Sequence, residues 1–515
     1  MERYIAGIDI GTTGAKTIIF DLEGYKVSSA YREYPCTYPN PNWVEQDPVE
    51  LVEAAMSSCK EAVAKGGLSA GQIASVGFSP QRCCGVFLDE NEVPLKMISW
   101  QDNRASDQVE EIGKLVGAKT FTQISGLPLS TTWLLPKLLW AKENDPELWA
   151  KTHRFVQLHD YLLRCFGADD YYLSETDASF YGCWDVAKLS WNQSFLDTFQ
   201  LDLQKISRIC PTGAQVGTVS PQAAEKSGLQ AGIPLCVGPG DQSSAALGAG
   251  VIHSGDMSVS LGTGGMSIIC MDEPRNDPNG AFFTTNHVIH GLWQWEGLQN
   301  ASAGIYRWFR DEIASLEYQQ AVAEGRDVYD RLSEMAASVP VGAKGLLVMP
   351  YYASAASPRW NPNARGVILG LTFAHDKACL ARAFMEGIVM EHRDMMESVK
   401  KTGLSIGKVR IMGGPTKSPV WNQIQADLYG VQAETLAIPD ASVLGAAITG
   451  AVGTGLFGSF EEAVNKLVRV DRVYTPNLEN TKRYTELYQI YCAAYDGLVR
   501  SGAFDQIARF QQTLP

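Results

Sequence analysis

The sequence predicts a mixed α/β protein made of two related domains of roughly 250 residues each. The first observation is that the strands near the N-terminus come as hairpins before a helix, unlike the strict strand–helix alternation of a dinucleotide-binding domain. The second is a repeat, because residues 8–14 and 259–265 both read as an apolar strand running into a Gly-Thr-x-Gly turn. Such a repeat indicates duplication, with domains at 1–250 and 251–515 that each contribute one hairpin to a shared cleft.

Composition limits the function further. The 515 residues are 45% hydrophobic and 19% charged, which is ordinary for a globular protein. A net charge of −14 argues against nucleic acid or an anionic membrane as partner. No apolar run reaches the roughly 18 residues of a membrane span. The eleven cysteines form no C-x-x-C pair, so we expect reduced thiols, no disulfide framework and a cytoplasmic protein.

In the first half, strands are predicted at 4–10, 16–20 and 26–34, joined by turns at 11–14 and 21–24. Asp47 and Pro48 then open a helix as cap and first residue. A strand at 73–78 and helices near 104–115 and 133–143 follow. In the second half, a strand is expected at 409–412 and a long helix at 377–401. Another helix opens at Ser418 and ends at Gly430.

The two Gly-Thr turns are the sharpest chemical feature. Successive backbone N–H groups in such turns form a concavity that binds anions, and threonine hydroxyls add donors. Asp9, just before the first turn, could hold Mg²⁺ through water. Either turn alone is most simply a structural hairpin, but together with Asp9 they predict phosphate binding. The first turn lacks the G-K-[ST] ending of a P-loop.

Asp241 follows a predicted strand at 233–237 and a glycine-rich turn, and a helix of small residues follows it. At a helix N-terminus a carboxylate stays ionised and can accept a proton from an attacking hydroxyl. The alternative is that Asp241 is simply an N-cap.

Three further places are candidates for binding. Gln81 and Arg82 follow the strand at 73–78, at the end where ligands bind in α/β sheets, although Arg82 could equally be a surface residue. Trp100 could be a platform for a sugar face, with core packing as the alternative. The Gly413-Gly414 pair before Ser418 would let a ring or phosphate approach the backbone, or would be an ordinary turn.

At this point the chain resembles a known family, the FGGY carbohydrate kinases. The resemblance covers nearly the whole length and keeps the order of the motifs. They comprise residues 7–13, 43–48, 81–82, 240–242, 260–264, 413–414 and 441–447.

The resemblance implies an actin-like (ribonuclease H-like) ATPase fold, duplicated into two domains around a central cleft. It implies ATP as phosphoryl donor with Mg²⁺, and Asp241 as general base with Asp9 holding the metal. The nucleotide and its phosphates would be bound by Gly11, Thr12, Thr13, Gly262, Thr263, Gly264, Gly304, Gly413, Gly414 and Ser418. The acceptor would be bound by Gln81, Arg82, Trp100, Asp241 and Gln242.

The expected function is ATP-dependent phosphorylation of a small sugar, with a ketopentose such as D-xylulose preferred. Cys83 and Thr132 stand where glycerol kinases have a glutamate and a tyrosine, which removes two groups that bind glycerol. A polyol or another sugar, including glycerol, erythritol or a signalling sugar, stays open. So do a regulatory relative without catalysis and a non-kinase actin-like ATPase. The partner would be a small sugar, without nucleic acid or membrane, and a homodimer is left open.

Overall fold

The computed structural model describes residues 2–275, 277 and 280–514. The strands of the first half are β1 (Tyr4–Ile10), β2 (Gly14–Asp21), β3 (Lys26–Glu33), β4 (Ile73–Pro80), β5 (Gly85–Leu88), β6 (Pro94–Ile98), β7 (Arg154–Gln157), β8 (Tyr172–Ser174), β9 (Trp184–Asp185), β10 (Ser190–Trp191), β11 (Arg208–Cys210), β12 (Gln215–Thr218) and β13 (Pro234–Cys236). The helices of this half are α1 (Pro48–Lys65), α2 (Ser106–Val116), α3 (Ala118–Ser125), α4 (Leu134–Asn144), α5 (Pro146–Lys151), α6 (Leu158–Phe166), α7 (Glu175–Ala178), α8 (Gln193–Phe199), α9 (Pro221–Ser227) and α10 (Asp241–Gly248).

The second half continues in the same mixed order. Its strands are β14 (Asp256–Leu261), β15 (Gly265–Met271), β16 (Phe283–Asn286), β17 (Trp293–Gln299), β18 (Leu347–Met349), β19 (Val367–Leu369), β20 (Lys408–Gly413), β21 (Gln432–Leu436) and β22 (Val470–Tyr474). Its helices are α11 (Ala303–Trp308), α12 (Ser315–Ala323), α13 (Val328–Ala337), α14 (Lys377–Lys400), α15 (Pro419–Tyr429), α16 (Ala441–Gly453), α17 (Phe460–Leu467), α18 (Leu478–Arg500) and α19 (Ala503–Gln512).

The repeated hairpin belongs to a repeated sheet. The first sheet has the order β3-β2-β1-β4, and the seven-stranded second sheet contains the matching order β17-β15-β14-β20. In both, the central strand is antiparallel to its hairpin partner and parallel to the strand on its other side. The duplication inferred from the sequence is therefore present in the topology, while the boundary between residues 250 and 251 stays a prediction.

Two helices each contact the sheet of the other half of the chain. α16 comes late in the chain but packs on the first sheet, where a Cβ on Gly77 would lie only 1.8 Å from the backbone oxygen of Ala446. α10 comes from the first half but contacts the second sheet, since Ser243 on α10 accepts a hydrogen bond from Gln294 on β17 at 3.0 Å. The two helices also touch each other, since a Cβ on Gly445 would lie 1.9 Å from the oxygen of Ser244 on α10. This close packing joins the two sheets next to α10, which begins with Asp241.

The sequence signals for helix starts and ends predicted these helices correctly. Asp47 caps α1 by accepting the backbone N–H of Val49 at 2.9 Å. Ser418 caps α15 in the same way, and Gly430 ends it in the left-handed conformation, with φ +68°. The predicted long helix is α14, and the helices predicted near 104–115 and 133–143 are α2 and α4, each within two residues of its expected start.

The eleven cysteine thiols are all free, as expected for a reduced protein. Across the part of the chain that the structure describes, no helix is both long enough and apolar enough to cross a bilayer. The same residues contain no cluster of three or more His, Cys, Asp or Glu side chains arranged to hold a metal ion.

Candidate active site

Both Gly-Thr turns have the geometry that their sequences suggest. Gly11 closes the β1–β2 turn by donating its N–H to Gly14 at 3.0 Å, and Gly262 closes the β14–β15 turn through Gly264 at 2.9 Å. The three residues of the second turn are exposed, as is Thr13 in the first. Backbone N–H groups and hydroxyls in both turns are therefore accessible to a ligand.

The first turn is connected to the predicted acceptor residues. The indole of Trp100 donates to the hydroxyl of Thr12 at 3.1 Å. Gln46 donates to the carbonyl of Thr12 at 2.9 Å and accepts from the amide of Gln81 at 2.7 Å. Trp100 is 38% exposed, so the core-packing alternative for this side chain is wrong. Gln81 is buried.

Asp9 lies at the end of β1 in a polar, enclosed position. Its carboxylate accepts the hydroxyl of Ser79 at 2.9 Å. Burial raises the pKa of Asp9 to about 7, and the negative charge of nearby Asp241 adds to this rise, while hydrogen bonds from Ser79 and Ser442 oppose it. Because the charge of Asp241 disfavours ionisation of Asp9, a bound cation would stabilise the ionised pair.

Asp241 is the first residue of α10, and Gly240 occupies the cap position. The N-cap interpretation of Asp241 is therefore wrong. Its carboxylate accepts the backbone N–H of Gln242 at 2.8 Å and the side-chain amide of Gln242 at 3.2 Å. Burial raises the pKa of Asp241, and the adjacent Arg82 guanidinium, 3.5 Å away, opposes that rise. The carboxylate is thus fixed in direction and held next to one cation.

Arg82 is buried, which excludes the surface alternative. Its two terminal nitrogens donate to both carboxylate oxygens of Glu296 on β17, at 2.9 and 2.8 Å. Its third nitrogen faces Asp241, and the guanidinium lies over the ring of Phe180 at 4.4 Å. Glu296 is fully buried and also accepts the hydroxyl of Thr285 at 2.7 Å.

Sequence reasoning missed Glu296 and two residues that hold the turn before Asp241. His159 accepts the backbone N–H of Gly238 at 3.1 Å through Nε2. Asp177 accepts the N–H of Gly240 at 3.1 Å, and burial raises the pKa of Asp177 to about 6. For Glu296 the sequence offers one signal, because a buried arginine needs a carboxylate partner. That signal gives the type of residue but not its position in the sequence.

A cavity of about 500 Å³ opens in the second half. It brings together five of the predicted nucleotide-binding residues, namely Gly262, Thr263, Gly304, Gly414 and Ser418. Three aromatic side chains also line it, those of Tyr306, Tyr329 and Trp421. A Cβ on Gly414 would meet no atom within 4 Å, so this backbone faces open space.

The other predicted nucleotide residues lie outside the lining of this cavity. Gly413 has φ +96°, and a Cβ there would lie 2.3 Å from the oxygen of Leu261. Glycine at this position therefore lets β20 approach β14. Gly264 is similarly packed, because a Cβ at this position would lie 3.0 Å from the carbonyl oxygen of Gln299. Gly11, Thr12 and Thr13 belong to the first turn, near Trp100.

The duplicated sheets with their two glycine-rich turns, and Asp241 at the start of α10, place the chain in the two-domain, actin-like ATPase class. Models of the FGGY family of carbohydrate kinases match residues 4–248 with their N-terminal domain and residues 257–454 with their C-terminal domain. The chain belongs to this family. It is accordingly an ATP-dependent sugar kinase, and the non-kinase ATPase alternative is set aside.

Individual relatives agree with this assignment. The chain is 29% identical to a xylulose kinase of Staphylococcus epidermidis, over 96% of this chain and 97% of that one. It is 28% identical to a gluconokinase of Bacillus licheniformis, over 100% and 99% of the two chains. A crystal structure of xylulose kinase from Lactobacillus acidophilus superimposes with a TM-score of 0.88 at 24% identity, covering 96% of this chain and 98% of that one.

Proposed function

We propose that the chain transfers the γ-phosphoryl group of ATP to a hydroxyl of a small sugar, a ketopentose such as D-xylulose, with Asp241 as general base. The observation that carries this proposal is the partly buried Asp241 carboxylate, held by Gln242 and Arg82 at the start of α10. Phosphoryl transfer depends mainly on positioning and charge stabilisation, so a fixed base suits it.

Asp241 would accept the hydroxyl proton while the oxygen attacks the γ-phosphorus. The Arg82 guanidinium favours the ionised form of this carboxylate, and burial favours the neutral form. Opposed effects of this kind bring the pKa of a general base closer to the working pH than that of an exposed aspartate. Gln242 would fix the direction in which the carboxylate points.

Mg²⁺ fits the surroundings of Asp9. A magnesium ion keeps several water ligands and needs only one or two protein carboxylates besides the phosphates, so a three-residue cluster is not required. Asp9 supplies a buried carboxylate beside a second one. When bound, the ion would neutralise phosphate charge during transfer.

The cavity beside the second Gly-Thr turn would hold the nucleotide. Its aromatic residues suit a purine ring, and the open backbone at Gly414 suits close approach of the ligand. In this proposal residues 1–250 carry the acceptor pocket and the first phosphate turn, whereas residues 251–515 carry the second turn and the nucleotide site. Thr12, Thr13 and Thr263 would donate to phosphate oxygens.

The acceptor would lie near Gln81, Trp100 and Asp241. Gln81 has a buried amide oxygen without a hydrogen-bond partner, which a sugar hydroxyl could satisfy. The xylulose kinase relative supports a ketopentose. A polyol or other sugar is the second candidate, with glycerol disfavoured because Cys83 and Thr132 stand where glycerol kinases have a glutamate and a tyrosine.

A coupled assay of ADP release with Mg²⁺ and ATP tests the proposal. A panel of pentuloses, hexuloses and polyols should give sugar-dependent turnover, with the highest kcat/KM for a ketopentose. Absence of stimulation by every sugar would contradict the proposal, and a polyol preference would select the second candidate.

We also propose that the protein works in the cytoplasm on a small-molecule sugar, without nucleic acid or membrane. Free cysteines and the net charge of −14 support this setting. A homodimer stays a prediction, which light scattering after size-exclusion chromatography would check.

A further inference from the structure

The ionisable groups around Asp241 include more carboxylates than cations. Arg82 is the cation in ion-pair contact with this carboxylate, and the same guanidinium also pairs with Glu296. The negative charge of Asp241 contributes to the raised pKa of Asp9, so these two carboxylates interact electrostatically. One guanidinium therefore faces two carboxylates, with the third carboxylate of Asp9 nearby.

The two-pronged face of the guanidinium is not free to bind a ligand carboxylate. Both terminal nitrogens are used in the two-pronged pair with Glu296, and the remaining one faces Asp241. This arrangement is the geometry in which arginine binds a carboxylate most strongly. Glu296 thus occupies the position on Arg82 that the carboxylate of a sugar acid would need.

Two lysines of the first half are also paired with other groups. Lys137 is buried, and its ammonium donates to the carbonyls of Cys83 and Thr132, at 2.7 and 2.6 Å. Lys16, on β2 next to the first turn, is paired with Asp440. Neither is in ion-pair contact with Asp241 in the part of the chain that the structure describes.

We propose that this pocket selects uncharged sugars and rejects sugar acids, with Glu296 as the specificity-determining residue that keeps Arg82 occupied. The inference rests on the proposed function, because it assumes that the acceptor binds beside Asp241. Overall similarity does not decide between a neutral and an acidic sugar, because the xylulose kinase and gluconokinase relatives are 29% and 28% identical to this chain. Like charges placed together in a desolvated site discriminate strongly between ligands.

The test compares two acceptors that differ at one carbon, xylitol and D-xylonate, alongside D-xylulose. For the unmodified protein, kcat/KM for D-xylonate should be at least about a hundredfold below that for xylitol. Glu296→Gln should raise the D-xylonate to xylitol ratio by about tenfold or more, because Arg82 is then free to bind the acid. Thr285→Val removes a hydrogen bond to Glu296 without changing its charge, and should leave this ratio unchanged.

Calorimetric titration with xylitol and D-xylonate gives a second measurement that does not need turnover or a stable Glu296 variant. Tighter binding of D-xylonate than of xylitol to the unmodified protein would overturn the inference, as would a ratio unaffected by Glu296→Gln in a folded variant. The proposed function fails separately, when no sugar stimulates ATP turnover. Asp241-dependent phosphorylation that favours D-xylonate would leave the kinase mechanism standing and refute the charge selection alone.

Discussion

Replacing Asp241 by Asn should lower kcat by about 10²- to 10⁴-fold, the usual contribution of a general base. The amide keeps the shape of the carboxylate, and its oxygen can still accept the N–H of Gln242, now at 2.8 Å. Arg82 keeps both hydrogen bonds to Glu296, so its charge stays paired. The loss is therefore that of proton acceptance, which corresponds to about 3–5 kcal/mol of transition-state stabilisation.

The assay follows ADP release with saturating D-xylulose, while calorimetry measures the affinity for ATP. Because Asp241 is absent from the lining of the nucleotide cavity, the Kd for ATP should change less than about threefold. Asp376→Asn is the matched control, since asparagine caps a helix about as well as aspartate and Asp376 caps α14 outside the lining of the nucleotide cavity. A kcat within about tenfold of the unmodified value would remove Asp241 from the role of base.

Three further changes test the packing, the nucleotide cavity and a buried histidine. Gly77→Ala should lower the free energy of unfolding by about 1–3 kcal/mol or more in urea titrations, because its Cβ would overlap the backbone oxygen of Ala446, 1.8 Å away, and force β4 and α16 apart. Gly414→Val should weaken ATP binding by about tenfold in calorimetry, because its side chain fills the open space at the cavity wall. Burial lowers the pKa of His392 to about 3 in the folded protein. Below the unfolded-state pKa of about 6.5, the unfolded chain therefore binds a proton that the folded chain does not bind. His392→Gln should consequently reduce the stability lost between pH 7 and pH 5 by about 2 kcal/mol.

Each of these changes has its own control. Gly497 lies inside α18 with no atom within 4 Å of a Cβ, so Gly497→Ala should be neutral or stabilising by up to about 1 kcal/mol. Equal destabilisation by Gly77→Ala and Gly497→Ala would contradict the packing argument. Gly414→Val should leave the unfolding free energy within about 0.5 kcal/mol. An unchanged pH dependence in His392→Gln would show that His392 is not held neutral.

Local chemistry explains which parts of the fold could be predicted. The caps at Asp47 and Ser418 and the turn at Gly430 depend on residues within one helical turn, so the sequence shows them directly. The exchange of α10 and α16 between the sheets depends on contacts across roughly 200 residues of chain, such as that of Gly445 with Ser244. Small residues allow such contacts but do not specify the partner.

The same distinction holds in the site. The Gly-Thr turns, Gly414 and Asp241 stand in short patterns whose chemistry is local. Glu296 sits on an ordinary strand and acts only because the fold brings it to Arg82, 214 positions away in sequence. Gly413 shows a packing role that the sequence did not indicate, since it lets β20 approach β14, while its contact with a nucleotide stays a prediction.

The motif at residues 43–48 connects neighbouring parts of the candidate site. Trp43 lies under the guanidinium of Arg104 at 4.0 Å, and the same arginine pairs with Glu45 at 2.8 Å. Gln46 then joins the first Gly-Thr turn to Gln81, through bonds of 2.9 and 2.7 Å. The motif therefore fixes the phosphate turn relative to the acceptor side.

Such scaffolding is compatible with many sugars, because it sets distances rather than pocket chemistry. The proposed specificity adds a side chain outside the family patterns, whose charge distinguishes neutral from acidic sugars. Glu296 is this side chain, since it determines whether Arg82 presents a free cation or a neutral pair to the acceptor. In this proposal the choice of sugar depends on Glu296 together with Arg82, which itself belongs to a family motif.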